Sequence, residues 1–153
     1  MIYFIVCALI VILDQVSKAV VVKNFELGES LDIIKGFFSL TYVENRGAAF
    51  GMLQGARVFF IILTVAVFVL AFFYLRKNRP SGVLEKLSIS FIAGGALGNF
   101  IDRAFLSYVR DFLSADFIDF PVFNIADCFI CIGAALYILG VFLHDKKRAD
   151  YGK

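Results

Sequence analysis

Histidine is nearly missing from this chain of 153 residues: His144 is the only one. A zinc site of the HExxH type needs two, so that chemistry is excluded. Tryptophan is absent, and Pro80 and Pro121 are the only prolines. Three cysteines, Cys7, Cys128 and Cys131, all fall inside apolar runs. They read as small packing residues rather than as a disulfide framework or a metal set. Cys128 and Cys131 have a redox-pair spacing, but within an apolar helix. A net charge of +2, with the basic residues clustered, argues against nucleic acid as a partner. Internal repeats and low-complexity segments are also lacking.

What the chain has in excess is apolar length. Hydrophobic residues make up 61% of it and its mean hydropathy is +0.86, against roughly 45–50% apolar content in soluble domains. The sequence predicts an α-helical integral membrane protein, a single membrane-embedded domain over 1–153. Four spans are expected, at about 2–22, 58–75, 84–101 and 122–143. The first is kept as a span rather than a signal peptide. It has no basic start and no small-x-small cleavage site, and its apolar run continues past Asp14 and Lys18.

Basic residues in short loops set the orientation. Arg76, Lys77, Arg79 and Lys86 lie between spans two and three, and "HDKKRADYGK" follows span four. Both regions, and with them both termini, are expected in the cytoplasm. The connections 23–57 and 102–121 then face outward, and Asp127 lies just beneath the outer surface. In 23–57, aromatic and β-branched residues broken by Gly36 and Gly47 predict short strands at the membrane surface. "FLSADFIDFP" (112–121) reads as an interfacial turn or a short helix.

Ionisable groups at membrane depth are costly and mark function by default. Asp14 and Lys18 share a helix face and are expected to pair, with Lys18 extending outward to the interface. Gly94 and Gly98 have the GxxxG spacing that admits a neighbouring helix. Asn99, Asp102 and Arg103 line one side of the outer end of span three. Asn124 and Asp127 are neighbours at the head of span four. They could serve only as helix-end caps, but Asp127 is read as lying beyond the first turn after Pro121. Asp102 and Asp111 are both candidates to partner it.

Two aspartates sharing a site cannot both ionise easily, so the pair holds one proton. One carboxylate can then activate water while the other protonates a carbonyl, without a metal or cofactor. Other nucleophilic sets fail on position. His144 is on the cytoplasmic side, which excludes a Ser-His-Asp triad. Ser17 and Lys18 are adjacent and do not face each other, and Lys86 and Ser90 lie at the inner end. An alternative class is a small proton-coupled transporter or channel subunit, with Asp14, Lys18, Asp102 and Asp127 as a relay. Against it, Asp102, Asp111 and Asp127 gather at one face, and no inverted repeat is visible.

Five motifs carry a resemblance along nearly the whole chain: "DQVSK" (14–18), "ENRGAAFG" (44–51), "GGALGNFIDR" (94–103), "VRDF" (109–112) and "FPVFNIADC" (120–128). In this order and at these span ends, the chain resembles the lipoprotein signal peptidase (signal peptidase II) family. The resemblance implies an aspartyl endopeptidase of the bacterial cytoplasmic membrane. Such an enzyme removes the signal peptide of a diacylglyceryl-modified prolipoprotein, cleaving before the lipidated cysteine, and is inhibited by globomycin. It implies four transmembrane helices, a small extracytoplasmic β-sheet and a short surface helix. By position, the catalytic pair would be Asp111 and Asp127, which selects Asp111 over Asp102. Asn45, Asn99, Arg103 and Asn124 would support them, with Asp14 and Lys18 structural or supporting. The family usually has an apolar residue where Arg110 stands, and often serine at Cys128. Alternation along an extended segment predicts that Arg110 faces lipid headgroups.

Overall fold

A computed structural model describes residues 2–48, 50, 52–78, 80 and 82–151. Arg79, Ala49 and Gly51, and the side chain of His144 with the rest of the basic tail, lie outside what it describes. The element order is α1 (Ile2–Asn24), β1 (Ser30–Ile34), β2 (Phe38–Asn45), α2 (Arg57–Lys77), α3 (Val83–Phe105), β3 (Val109–Ala115) and α4 (Ile125–Tyr151).

Three stretches, Tyr3–Asn24, Arg57–Lys77 and Ile125–Leu143, are long and apolar enough to cross a membrane. The burial pattern is that of a protein solvated by lipid. Leu70 and Phe142 are about 70% exposed, whereas Asp14, Lys18, Asp102 and Asn124 are fully buried. In helix α2 no described residue is buried at all.

Helix α3 is as long as α1 but less apolar, and the reason is its place in the packing. Its buried residues are Ser88, Ser90, Gly94, Gly95, Gly98, Asn99 and Asp102. These small and polar positions let two helices close on it. A Cβ at Gly94 would lie 2.8 Å from Ile10 on α1. One at Gly95 would overlap the backbone of Ala126 on α4, and one at Gly98 would collide with the Asp14 carboxylate. Gly133 of α4 reciprocates, facing Ser88 and Ile92. The GxxxG expectation is therefore met, with Gly95 and Gly133 extending it to a second partner helix.

The strands form an antiparallel sheet in the order β1-β2-β3. The β1–β2 turn places Gly36 at φ 71°, a left-handed conformation that favours glycine. The strands expected in 23–57 are present. Residues 112–115, read as a turn or short helix, instead complete β3, because Leu113 pairs with Leu40 and Asp111 with Val43. The stretch "FLSA" (112–115) has no clear alternation of its own, and acidic residues follow it. In the loop after β2, Phe50 has a 3-10 conformation and 52–55 forms a turn. Helix α4 starts at Ile125 rather than near 122, because Phe123 bridges to Leu113 as an extension of the sheet.

The close approach of α3 and α4 predicts that Gly95→Ala costs about 1–3 kcal/mol, while Gly140→Ala, whose nearest neighbour would be 3.9 Å away, is tolerated. Thermal unfolding in detergent checks this; equal midpoints for the two variants would contradict the packing.

Candidate active site

The head of α4 is built by two side chains that cap each other. Asn124 precedes the helix, and its Oδ1 accepts the backbone N–H of Asp127 at 3.0 Å. Asp127 Oδ2 in turn accepts the N–H of Asn124 at 3.1 Å. This reciprocal arrangement satisfies two donors that a helix start leaves unpaired. Asp127 thus lies in the first turn, not beyond it, and one of its oxygens has a capping role. Its other oxygen, Oδ1, accepts from Asn99 Nδ2 at 2.7 Å.

Asp111 reaches the same place from β3. Its Oδ1 accepts from Asn124 Nδ2 at 2.6 Å, and its Oδ2 from Asn45 Nδ2 at 3.0 Å. Asn124 therefore touches both carboxylates, one through its side chain and the other through the cap. Asn45 is aimed by its own Oδ1, which accepts the N–H of Gly47 at 2.9 Å. Burial foremost, and then the negative charge of Asp127, push the Asp111 carboxyl up from 3.8 to about 7, against the opposing effect of the two amide donors and Lys18.

Both carboxylates line a cavity of about 520 Å³. Asn45, Asn99 and Arg103 share its wall, and Phe120, Phe123, Cys128 and Ile132 make much of the rest apolar. The Arg103 guanidinium lies 4.7 Å from the Phe60 ring centre and donates to the Gly47 carbonyl at 3.1 Å. It ties the loop after β2 to α3 while facing the cavity. Arg57, at the head of α2, donates to the carbonyls of Arg103 and Ala104 at 2.7 and 2.6 Å, capping the end of α3.

Asp14, Lys18 and Asp102 lie behind the cavity rather than in it. Lys18 pairs with Asp14 at 2.9 Å, as expected, and approaches Asp102 at 3.4 Å. It does not extend outward: it is fully buried and donates to Asn99 Oδ1 at 2.9 Å. The bundle offers it three oxygens, a better destination than the interface for an ammonium at this depth. Asp14 Oδ1 also accepts the N–H of Ala126 at 3.0 Å, a second contact with the head of α4. Asp102 is paired with two cations, Lys18 and Arg110.

Arg110 corrects the expectation that it faces headgroups. Alternation does turn it away from the side of Asp111, but that opposite side packs on α1 and α3. Its guanidinium pairs with Asp102 at 2.6 Å and is largely buried. Gln15, not singled out from the sequence, donates to Asp14, Asp102 and the Gly98 carbonyl, each at 3.1 Å. Its signal was available: an amide within a membrane span needs partners as much as a charge does.

A family model described as Signal peptidase (SPase) II matches residues 6–143. A lipoprotein signal peptidase of Enterococcus faecalis is 43% identical, over 99% of this chain and 94% of its own length. That of Brevibacillus brevis is 47% identical, over 95% and 98% respectively. Among solved structures, a bacterial membrane enzyme determined by the in meso method at 2.3 Å resolution superposes with a TM-score of 0.88 at 33% identity, covering 95% of this chain and 90% of that one. A second, at 1.9 Å, gives 0.83 at 35% identity, with 91% of each covered. The chain belongs to the lipoprotein signal peptidase (signal peptidase II) family and is a protease.

Proposed function

We propose that Asp111 and Asp127 are the catalytic pair of an aspartyl endopeptidase. It removes the signal peptide of diacylglyceryl-modified prolipoproteins just before the lipidated cysteine. The observation that carries this is the way Asn124 joins two carboxylates from separate elements in one cavity. Asn45 and Asn99 hold the outer oxygen of each. Neither carboxylate is consumed by a cation within ion-pair distance, which suits a pair that must exchange protons.

Charge supports the same reading. In and behind the cavity, among the described residues, Asp14, Asp102, Asp111 and Asp127 face Lys18, Arg103 and Arg110. Four carboxylates against three cations leave one negative charge in excess, and one shared proton cancels it. With that proton on one aspartate, the ionised partner draws a proton from the attacking water. The protonated one donates to the scissile carbonyl. Asn45, Asn99 and Asn124 keep the carboxylates oriented, and Arg103 faces the developing charge. Asp14 and Lys18 support from behind.

In this reading α3 is the fourth span: its 23 residues extend about 35 Å, against a hydrocarbon core of about 30 Å. The termini are cytoplasmic, and the cavity opens near the outer face of the bacterial cytoplasmic membrane. There a substrate's acyl chains stay in lipid while its backbone enters between helices. Globomycin-type inhibitors occupy the same cavity. The relay of an ion-coupled transporter is disfavoured because Asp14, Lys18 and Asp102 are closed into ion pairs.

Purified protein in detergent is expected to cleave a diacylglyceryl-modified prolipoprotein, and Asp111→Asn and Asp127→Asn each to lose roughly 10²–10⁴-fold in kcat. A variant folded as the wild type and retaining full activity would remove its residue from the pair. The pH dependence has a definite sign. A carboxyl raised from 3.8 to about 7 by folding binds its proton more tightly in the folded state. Its stabilising contribution is complete below about 4 and is lost as pH rises through about 7. Unfolding midpoints of the wild type should fall across that window more steeply than those of Asp111→Asn, and parallel curves would contradict the raised value.

A further inference from the structure

The buried charges behind the cavity are not used by the proposed chemistry, yet they hold the residue next to Asp111. We propose that Arg110 is a positioning residue, which through its fork on Asp102 fixes the placement of Asp111 against α3 and α4. The inference rests on the reading of Asp111 as catalytic.

Arg110 is gripped at both its side chain and its backbone. Nε donates to Asp102 Oδ2 at 3.1 Å and Nη2 to Oδ1 at 2.6 Å, the two-pronged geometry that only a guanidinium gives a carboxylate. The backbone N–H of Arg110 donates to the same Oδ2 at 3.0 Å. Nη2 also reaches Gln15 Oε1 on α1 at 2.9 Å. A single carboxylate on α3 thus fixes the main chain of β3 one peptide before Asp111, and α1 steadies the guanidinium that closes the fork.

The geometry across the sheet makes this matter for the cavity. Arg110 and Asp111 are adjacent in β3, so their side chains leave opposite faces. The strand carries ion pairing on one face and the Asp111 amide contacts on the other. Asn99 and Asp102 belong to the same helix, α3, at a spacing of three. Asn99 aligns Asp127 while Asp102 aligns the strand bearing Asp111. The separation of the two aspartates is therefore referred to one rigid element. Elsewhere β3 is held by a bridge to Phe123 beyond Asp111 and by pairing with β2, whose register shifts between Leu40 and Val43, next to this point. A strand with an irregular ladder gains more from an outside anchor.

Losing the anchor lets Asp111 drift, and a shift near 1 Å at a reacting group costs on the order of 100-fold. Replacing Arg110 removes no side chain from the cavity wall, because Arg110 does not line it. The test is steady-state cleavage of a diacylglyceryl-modified prolipopeptide by Arg110→Leu, Arg110→Lys and Asp111→Asn beside the wild type. Each protein is checked for monodispersity and unfolding midpoint. Arg110→Leu is expected to lower kcat roughly 10–100-fold with KM within about threefold. Arg110→Lys, keeping the charge without the fork, should recover part of kcat. If Arg110→Leu does not fold, Arg110→Lys decides alone: a wild-type kcat overturns the proposal, and a reduced kcat at unchanged KM supports it. A rise in KM at constant kcat also overturns it. Should Asp111→Asn itself stay active, the catalytic reading fails and the inference falls with it. An inactive Asp111→Asn beside fully active Arg110 variants sinks the inference alone.

Discussion

The ammonium of Lys18 is the contact on which the rest of the site depends. It donates to Asn99 Oδ1, and Asn124 Nδ2 donates to that same oxygen at 3.1 Å. With its carbonyl end committed twice, Asn99 has only its amide nitrogen to present to Asp127. A cation on α1 therefore decides which way an amide on α3 points, and thereby what the carboxylate on α4 receives. The ammonium is tolerable at this depth because Asp14 and Asp102 flank it. Buried ions are costly unless paired and hydrogen-bonded. Among the described residues, no buried side-chain N or O lacks a partner.

Such a network demands helices close enough for short side chains to meet. Aspartate and asparagine reach only a few ångströms, so α1 and α4 must approach α3 with almost no side chain between them. Gly94, Gly95 and Gly98 meet that demand. The low apolarity of α3 and the completeness of the polar network follow from the same packing requirement. An interior helix needs small residues and hydrogen-bonding groups, and lipid-facing neighbours supply the hydrophobic exterior.

The sequence made some of this legible and hid the rest for physical reasons. Long apolar runs located the helices, since in lipid composition and length suffice. The Asp14–Lys18 pair followed from helical spacing alone. The destination of Lys18 did not, because snorkelling and inward pairing look identical along one helix and differ only in what the neighbouring helix offers. Arg110 was misplaced for a related reason: alternation gives the side of a strand, not what lies on that side. The head of α4 was placed too early because Phe123 is as apolar as the helix that follows it. The second half of β3, from Phe112, was read as a turn or short helix because the acidic residues after it dominate the local pattern. Asp111 was selected over Asp102 by likeness to a family, not by residue chemistry. The structure shows cations around Asp102 and amides around Asp111, contacts that support the proposed choice.

Helix α2 has no buried residue and is held at its N-terminal end by Arg57 on the carbonyls of α3. Apart from Phe60, whose ring meets the Arg103 guanidinium, its apolar positions are interchangeable as far as lipid is concerned, so substitution among Val, Leu, Ile and Phe is nearly free of constraint there. On α3 a single added methyl meets another helix. Two helices of similar length in the same chain are thus held by opposite constraints: in α2 the composition matters, and on the packed face of α3 each position does. Sequence comparison across relatives should find α2 drifting freely around a fixed Arg57 and an aromatic Phe60, the first turn of a helix that otherwise needs only to remain greasy.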